Sequence, residues 1–340
     1  MSTATAVRPA TSGFVRTPPP FGVRLGMGAM IYGIGTPVVW LLEKTGRAER
    51  MFARMSARQR KEYEGKNPFR GYIPGKQDVF VATFAKSGTN WMMQIAHQLI
   101  WHGQGEFEHI HSVVPWPDTQ VMAPWMRRYA IPLEEAEHWR ESPERKRVIK
   151  THFDWDLVPY SEDARYIMVI RDPKDIFVSS YFFLKGGVMG PAMPSVDTWY
   201  KLFLSDRFVI GGSWAANTAG YWAQRHRPNV RIMSFKSLKR DLKSAVREVA
   251  QFLDIEASES LIDTVATQSS FEYMKKIDHK FRIGKVIPWQ AEGPMMRKGV
   301  QGGSAELLTR ERQCEMDAHF ISELKRLGSD FPYEDFCDLA

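Results

Sequence analysis

The sequence contains very little cysteine. Only Cys314 and Cys337 occur among 340 residues, and neither a CxxC pair nor an HExxH motif is present. Two distant cysteines cannot build a disulfide framework or a structural zinc site, so they indicate a reducing compartment. We therefore expect a cytoplasmic protein without a dedicated metal site.

Most of the chain also lacks an excess of basic residues. The net charge is +7, but residues 1–76 hold 13 of the 46 Lys and Arg and only 4 of the 39 Asp and Glu. This segment carries +9, and the rest of the chain carries −2. A nucleic-acid-binding domain needs basic residues clustered on its folded surface, so we expect no nucleic-acid partner.

One stretch near the N-terminus lacks charge altogether. Leu25 to Leu42 is an 18-residue uncharged run, at the lower edge for a membrane span, but it contains four glycines and Pro37. A basic amphipathic helix is predicted for Glu43–Glu64, with Ala48, Met51, Phe52 and Met55 on one face.

These patterns divide the chain into three predicted parts. Residues 1–20, rich in Thr, Ala and Pro, predict a disordered leader. Residues 21–66 predict an apolar and basic helical arm, and 77–340 the main domain. We favour peripheral attachment to a membrane surface through 21–64, and the alternative is a helical hairpin packed on the main domain.

The main domain alternates short apolar strands with amphipathic helices. Strands are predicted at Val79–Phe84, Arg147–Thr151, Arg165–Ile170 and Val230–Phe235. This alternation predicts an α/β fold with a central parallel sheet flanked by helices, and ligands at the carboxyl ends of the strands. One helix is predicted to begin at Asn90, and a second is predicted to end near Leu184. Further helices are predicted at Val196–Val209, Ser213–His226, Leu242–Leu253 and Ala305–Leu327.

The loop after the first predicted strand has the composition of a phosphate-binding loop. Lys86, Ser87, Gly88 and Thr89 lie between a strand and a helix N-terminus, where free N–H groups and the helix dipole attract anions. The common GxxxxGK[ST] motif is absent, and an ordinary turn with a surface lysine is the alternative. Two further stretches offer anion donors, Arg171 with Ser179 and Arg297-Lys298-Gly299, which suggests a ligand with phosphates at both ends.

Several motifs in order give the chain a specific resemblance. They are FAKSGTNW at 84–91, KTH at 150–152, RDPKDIFVSSYFF at 171–183, GSW at 212–214, SSFEYMKK at 269–276 and MRKG at 296–299. With these, the chain resembles the sulfotransferases that use 3′-phosphoadenosine 5′-phosphosulfate (PAPS), especially the cytosolic type. The resemblance implies a P-loop-like nucleotide-binding sulfotransferase fold.

The resemblance implies a role for each matching residue. The 5′-phosphosulfate would be held by Lys86, Ser87, Gly88, Thr89 and Asn90. The 3′-phosphate would be held by Arg171, Ser179, Arg297, Lys298 and Gly299. The adenine would be sandwiched by Trp91 and Phe271, with Ser269 at the base and Phe235 where the family has Tyr. Catalysis would use His152 as general base, Lys150 as its support and Lys86 at the bridging oxygen, while Trp116 and Phe183 would line the acceptor pocket.

The implied reaction transfers a sulfuryl group from PAPS to the hydroxyl of a small, lipophilic acceptor, expected to be an apolar alcohol or phenol. A histidine suits removal of the hydroxyl proton, and a lysine suits the charge that develops on the leaving phosphate; this scheme needs no metal. The family's C-terminal dimer signature is not retained, since only Thr309 matches it, so the oligomeric state stays open. The rival interpretations are a P-loop nucleotide kinase and a non-catalytic, membrane-associated nucleotide-binding protein.

Overall fold

The computed structural model describes residues 14, 19–122, 126–127, 129–208, 211–284, 287, 293–299 and 302–340. Most of the predicted leader, 1–20, lies outside these residues. The division of the chain into leader, arm and main domain stays a prediction.

The centre of the molecule is a four-stranded parallel sheet. Its strands are β1 (Asp78–Ala82), β2 (Arg147–Thr151), β3 (Arg165–Ile170) and β4 (Val230–Ser234), in the order β2-β1-β3-β4. The predicted α/β fold class is therefore confirmed, and β2 and β3 match their predicted bounds. β1 ends at Ala82 rather than Phe84, because the chain turns into the loop there. β4 ends at Ser234, and Phe235 begins a helix.

Helices cover both faces of the sheet, as a buried parallel sheet requires. Among the described residues, two helices precede β1, and the remaining helices come after it in the chain. They are α1 (Phe21–Lys44, with a π-helical segment at Met30–Gly35), α2 (Ala48–Gly65), α3 (Thr89–Ile100), α4 (Ile110–Val113), α5 (Pro173–Leu184), α6 (Val196–Leu204), α7 (Trp214–Trp222), α8 (Phe235–Arg240), α9 (Leu242–Phe252), α10 (Glu259–Gln268), α11 (Phe271–Lys276), α12 (Arg310–Arg326) and α13 (Tyr333–Phe336).

The arm consists of two helices that meet at a sharp turn. The predicted helix Glu43–Glu64 is wrong at its start, because Gly46, at φ 66°, reverses the chain between α1 and α2. Of the residues predicted to share its apolar face, Ala48 and Phe52 are buried in the protein, whereas Met55 is 54% exposed. The four glycines and Pro37 do not interrupt α1. Gly33 and Gly35 lie in its π-helical segment, and Pro37 lies at the start of the α-helical part that follows.

The last predicted helix starts later than expected. A short 3₁₀ turn at Gly303–Glu306 comes first, and α12 begins at Arg310. Thr309 caps α12, because its side chain accepts a hydrogen bond from the Arg312 N–H. The break between the 3₁₀ turn and this cap leaves Glu306 outside α12, where it pairs with Arg297 and Lys298.

Candidate active site

The loop between β1 and α3 has an unusual backbone. Lys86 and Gly88 both adopt left-handed conformations, at φ 71° and 97°. The Arg171 guanidinium donates a hydrogen bond to the Lys86 carbonyl at 3.0 Å, which ties the loop to the end of β3. A Cβ atom at position 88 would lie 2.9 Å from the Phe235 ring, so only glycine fits there.

This loop opens into a cavity of about 440 Å³ at the carboxyl ends of the strands. All predicted site residues except Ser87 line it, and Ser87 is fully buried. Those that line it are Lys86, Gly88, Thr89, Asn90, Trp91, Trp116, Lys150, His152, Arg171, Ser179, Phe183, Phe235, Ser269, Phe271, Arg297, Lys298 and Gly299. Motifs separated by more than 200 residues in the chain thus share one cavity.

Besides the Trp116 indole nitrogen, three buried polar atoms near this cavity lack a hydrogen-bond partner among the described residues. They are Ser87 Oγ, Arg171 Nε and Ser269 Oγ. Buried polar groups are normally satisfied, so an unsatisfied group points to a missing ligand. All three belong to the residues predicted to hold a PAPS-like donor, and two hydroxyls and a guanidinium suit phosphate oxygens and an adenine edge. The residues present therefore fit such a donor.

An aromatic platform forms the far end of this region. The Trp91 indole N–H donates to the Ser269 carbonyl at 2.7 Å, which joins α3 to the loop before α11. Phe235 lies edge-on to Trp91 at 5.5 Å. Gly299 approaches Phe271 so closely that a Cβ atom there would lie 2.2 Å from the ring. The loop at 297–299 therefore packs directly on this platform.

The cationic side chains of the loop at 297–299 pair with a carboxylate of the same chain. Glu306 pairs with Arg297 at 2.8 Å and with Lys298 at 2.9 Å. In the same way, the Arg171 guanidinium lies 3.6 Å from the Asp175 carboxylate. Each cation predicted to bind the 3′-phosphate thus faces a carboxylate of the same chain.

His152 lies just beyond β2 with a defined tautomer. Its Nδ1 lies 2.8 Å from the Thr83 carbonyl oxygen. A carbonyl can only accept, so Nδ1 carries the proton and Nε2 is the basic nitrogen. Burial, reinforced by the nearby Lys150 ammonium, lowers the pKa of His152 to about 3. The imidazole is therefore neutral at physiological pH and able to accept a proton.

Two lysines flank this histidine and rest on aromatic rings. Lys86 Nζ lies 4.0 Å from the centre of the Phe183 ring, and Lys150 Nζ lies 3.3 Å from the centre of the Trp116 ring. Burial, together with Arg171, lowers the pKa of Lys86 to about 7, and burial also lowers the pKa of Lys150 to about 7. Within the described part of the chain neither ammonium group forms an ion pair, although Asp118 and Asp278 act on Lys150 and Lys86 from a greater distance, and this makes the pocket receptive to an anion.

The structure adds site residues that the sequence analysis missed. Asp118 accepts hydrogen bonds from the His152 backbone N–H at 2.7 Å and from the Thr151 hydroxyl at 2.9 Å. Burial raises the pKa of Asp118 to about 6. Gln59 and Tyr63, from α2, also line the cavity. Asp118 carries no local sequence signal, whereas the Gln59–Tyr63 spacing of four residues marks one face of a helix.

Comparison with known proteins identifies the fold and the family. The sequence profile of the sulfotransferase domain matches residues 76–328. Amine sulfotransferase of Oryctolagus cuniculus is 30% identical over 269 residues, which cover 77% of this chain and 84% of that protein. Sulfotransferase 1C2 of the same species is 26% identical over 272 residues, covering 76% of this chain and 86% of that protein.

A solved structure agrees at the level of the fold. Retinol dehydratase in complex with retinol and PAP superposes with a TM-score of 0.63 at 20% identity, covering 77% of this chain and 85% of that one. The region that matches the profile of the sulfotransferase domain contains the parallel sheet and every predicted site residue of the main domain. On this evidence the chain belongs to the sulfotransferase domain family and is an enzyme that uses PAPS as its sulfuryl donor.

Proposed function

We propose that the enzyme sulfates the hydroxyl of an apolar alcohol or phenol, with His152 as the general base. The observation that carries this proposal is the division of the cavity into two chemically different parts. Unsatisfied polar groups and cations gather around the β1–α3 loop. Apolar side chains form the other part. Trp116, Met126, Met122 and Ile283 belong to one hydrophobic cluster in which Trp116 lies edge-on to His152, and Phe183 packs against Lys86.

The roles of the residues follow from their positions and charges. PAPS, when bound, supplies the sulfuryl group and a phosphate leaving group. Nε2 of His152 accepts the proton of the acceptor hydroxyl, because Nδ1 is engaged by Thr83. Lys86 holds positive charge at the bridging oxygen, where negative charge grows as the bond breaks. Lys150 adds a second cation beside His152 and keeps the imidazole neutral before reaction.

Donor binding in this proposal needs no divalent metal. Among the described residues, no group of three or more His, Cys, Asp or Glu side chains is arranged to hold an ion. The donor end of the cavity instead offers Lys86, Arg171, Arg297 and Lys298 as cations. Calorimetry of PAP binding in excess EDTA tests this, and binding that requires added Mg²⁺ or prefers ATP would contradict it.

The proposed activity is tested by product formation. The protein is incubated with PAPS and a panel of alcohols and phenols, and sulfated products are identified by mass spectrometry. We expect phenols and apolar alcohols to be sulfated and hydrophilic sugars to be left unchanged, because the acceptor side of the cavity is apolar. Sulfation of sugars but not of phenols would contradict the proposed acceptor class.

We also propose that α1 attaches the enzyme to a membrane surface. Phe21–Lys44 is long and apolar enough to cross a membrane, with a mean hydropathy of 1.6 in its most apolar window. Along one side, α1 packs on the domain: Val39 is buried, and Glu43 accepts hydrogen bonds from Ser195 and Thr198. Its other side exposes Ile34 and Trp40, each more than 60% exposed.

This one-sided packing favours a helix that lies in the plane of the interface over one that spans it. Flotation with phosphatidylcholine vesicles, with and without phosphatidylserine, tests the attachment. The full chain should float, and a chain that begins at Gly46 and retains α2 should not. Equal flotation of both would contradict attachment by α1. A matched Ile34→Ser, Trp40→Ser variant should lose binding while its enzymatic activity in solution is retained.

A further inference from the structure

Helix α2 of the arm forms a wall of the active-site cavity. A second cavity of about 270 Å³ lies beside the main one. The two cavities share five lining residues: Gln59, Tyr63, His152, Phe153 and Gly211. The rest of the second cavity is lined mainly by α2 and by residues between Asp206 and Gly212, with Asp154 and Leu157 from the segment after β2. Gln59 and Tyr63 therefore stand with the general base at the junction of the two spaces.

The position of α2 is fixed by contacts along its length. Ser56 Oγ donates to the Phe208 carbonyl at 3.2 Å, and Arg60 pairs with Asp154 at 2.9 Å. Asp154 in turn accepts from the Asn217 amide at 2.9 Å. A helix held at two successive turns presents its side chains at defined places, which is what selective recognition requires.

Gln59 and Tyr63 are the residues of α2 that line both cavities. The Gln59 amide donates a hydrogen bond to the Tyr63 oxygen, which leaves the Tyr63 O–H to donate elsewhere. Burial raises the pKa of Tyr63, so its hydroxyl stays protonated. The Tyr63 ring packs on Phe153, with centres 5.1 Å apart, next to His152. A donor is thereby held in the wall that the two cavities share with His152.

From these contacts we infer that Gln59 and Tyr63 determine acceptor specificity, and that the second cavity receives the substituent of the acceptor beyond its reacting hydroxyl. The preferred acceptor is a phenol or alcohol whose substituent carries an oxygen atom that accepts a hydrogen bond. This inference rests on the proposed function, which it deepens by naming the acceptor class. A site built to donate to an oxygen discriminates against an analogue that lacks it.

Two phenols of matched size test the inference. 4-(2-Methoxyethyl)phenol and 4-butylphenol differ in one ether oxygen and offer the same single hydroxyl. The ratio of their kcat/KM values, ether over butyl, is measured with PAPS for the full-length protein and its variants. Tyr63→Phe and Gln59→Leu should each lower this ratio by about fivefold, the effect of one hydrogen bond. Arg58→Gln, exposed on the same helix, is the matched control and should leave it unchanged.

A further variant probes the second cavity itself. Ala57→Phe places a ring in that cavity. It should lower kcat/KM for both substituted phenols but not for phenol, which has no substituent to place there. Thermal unfolding and PAP calorimetry on every variant show that the fold and the donor site are intact.

The outcomes separate this inference from the proposed function. An unchanged ether-to-butyl ratio in both Tyr63→Phe and Gln59→Leu would overturn it, as would equal losses for phenol and the substituted phenols in Ala57→Phe. Failure of the wild type to sulfate either substituted phenol, with PAP binding intact, would also overturn it while the donor site stands. Absence of PAP binding by the wild type would instead overturn the proposed function.

Discussion

Binding of PAP should take up protons, because the donor end of the cavity contains lysines that are only partly charged. Lys86 has a pKa lowered to about 7 by burial and by Arg171. A phosphate placed against its ammonium raises that pKa again, so the bound state holds more protons than the free state. By linkage, affinity is highest below pH 7 and falls as the pH rises through the free-state pKa.

The size of this effect follows from the fraction of lysine that is charged. For one group with a pKa of about 7, about half is protonated at pH 7 and about one hundredth at pH 9. PAP affinity should therefore fall about fiftyfold between these pH values, and more steeply if Lys150, with a pKa also lowered to about 7, is coupled in the same way. The comparison begins at pH 7 because the phosphate groups of PAP themselves titrate near pH 6 and would change the affinity at lower pH.

Calorimetry in buffers of different ionisation enthalpy measures both the affinity and the number of protons taken up. About half a proton per coupled lysine is expected at pH 7. Lys86→Met should flatten the pH dependence, and Lys201→Met, exposed outside the cavity, should retain it. A wild-type affinity that is constant from pH 7 to pH 9 with no proton uptake would refute the reasoning.

Three further predictions concern single side chains. His152→Ala should lower kcat by about 10² to 10⁴-fold with PAP affinity unchanged, and near-normal turnover of a good acceptor would exclude His152 as the base. Glu306→Gln should tighten PAP binding severalfold in calorimetry, because the carboxylate that faces two cations proposed to bind phosphate loses its charge; Glu311→Gln is the control, and weaker binding would mean that Glu306 only supports the loop. Asp118→Asn should lower the free energy of unfolding by about 1–3 kcal/mol, measured by denaturant titration, since it disturbs two buried hydrogen bonds; an unchanged stability would contradict that role.

Local patterns in the sequence predict the sheet and much of the cavity. β2 and β3 were predicted at their observed bounds, because each is a short apolar run bounded by polar residues. The predicted site residues follow strand ends, and parallel strands bring those ends to one edge of the sheet. Their convergence on one cavity follows from this topology.

Contacts between distant segments could not be predicted in the same way. Asp118 bonds to His152, 34 residues away, and no periodicity signals that pairing. Gln59 and Tyr63 belong to a helix whose hydrophobic pattern predicts only that one side is buried, not against what. The turn at Gly46 was missed because a single glycine inside a long helical pattern is a weak signal.

The left-handed backbone at Lys86 has a consequence for how this enzyme responds to selection. A non-glycine residue in that conformation costs roughly 1–2 kcal/mol, and the depressed pKa shows that the surroundings disfavour its charge. Glycine at this position would remove both costs, and the conformational entropy that glycine loses on folding would offset part of the gain in stability. The loop would also lose the cation proposed to act at the bridging oxygen. Selection for heat resistance alone would therefore favour loss of this lysine at the expense of the proposed catalytic function.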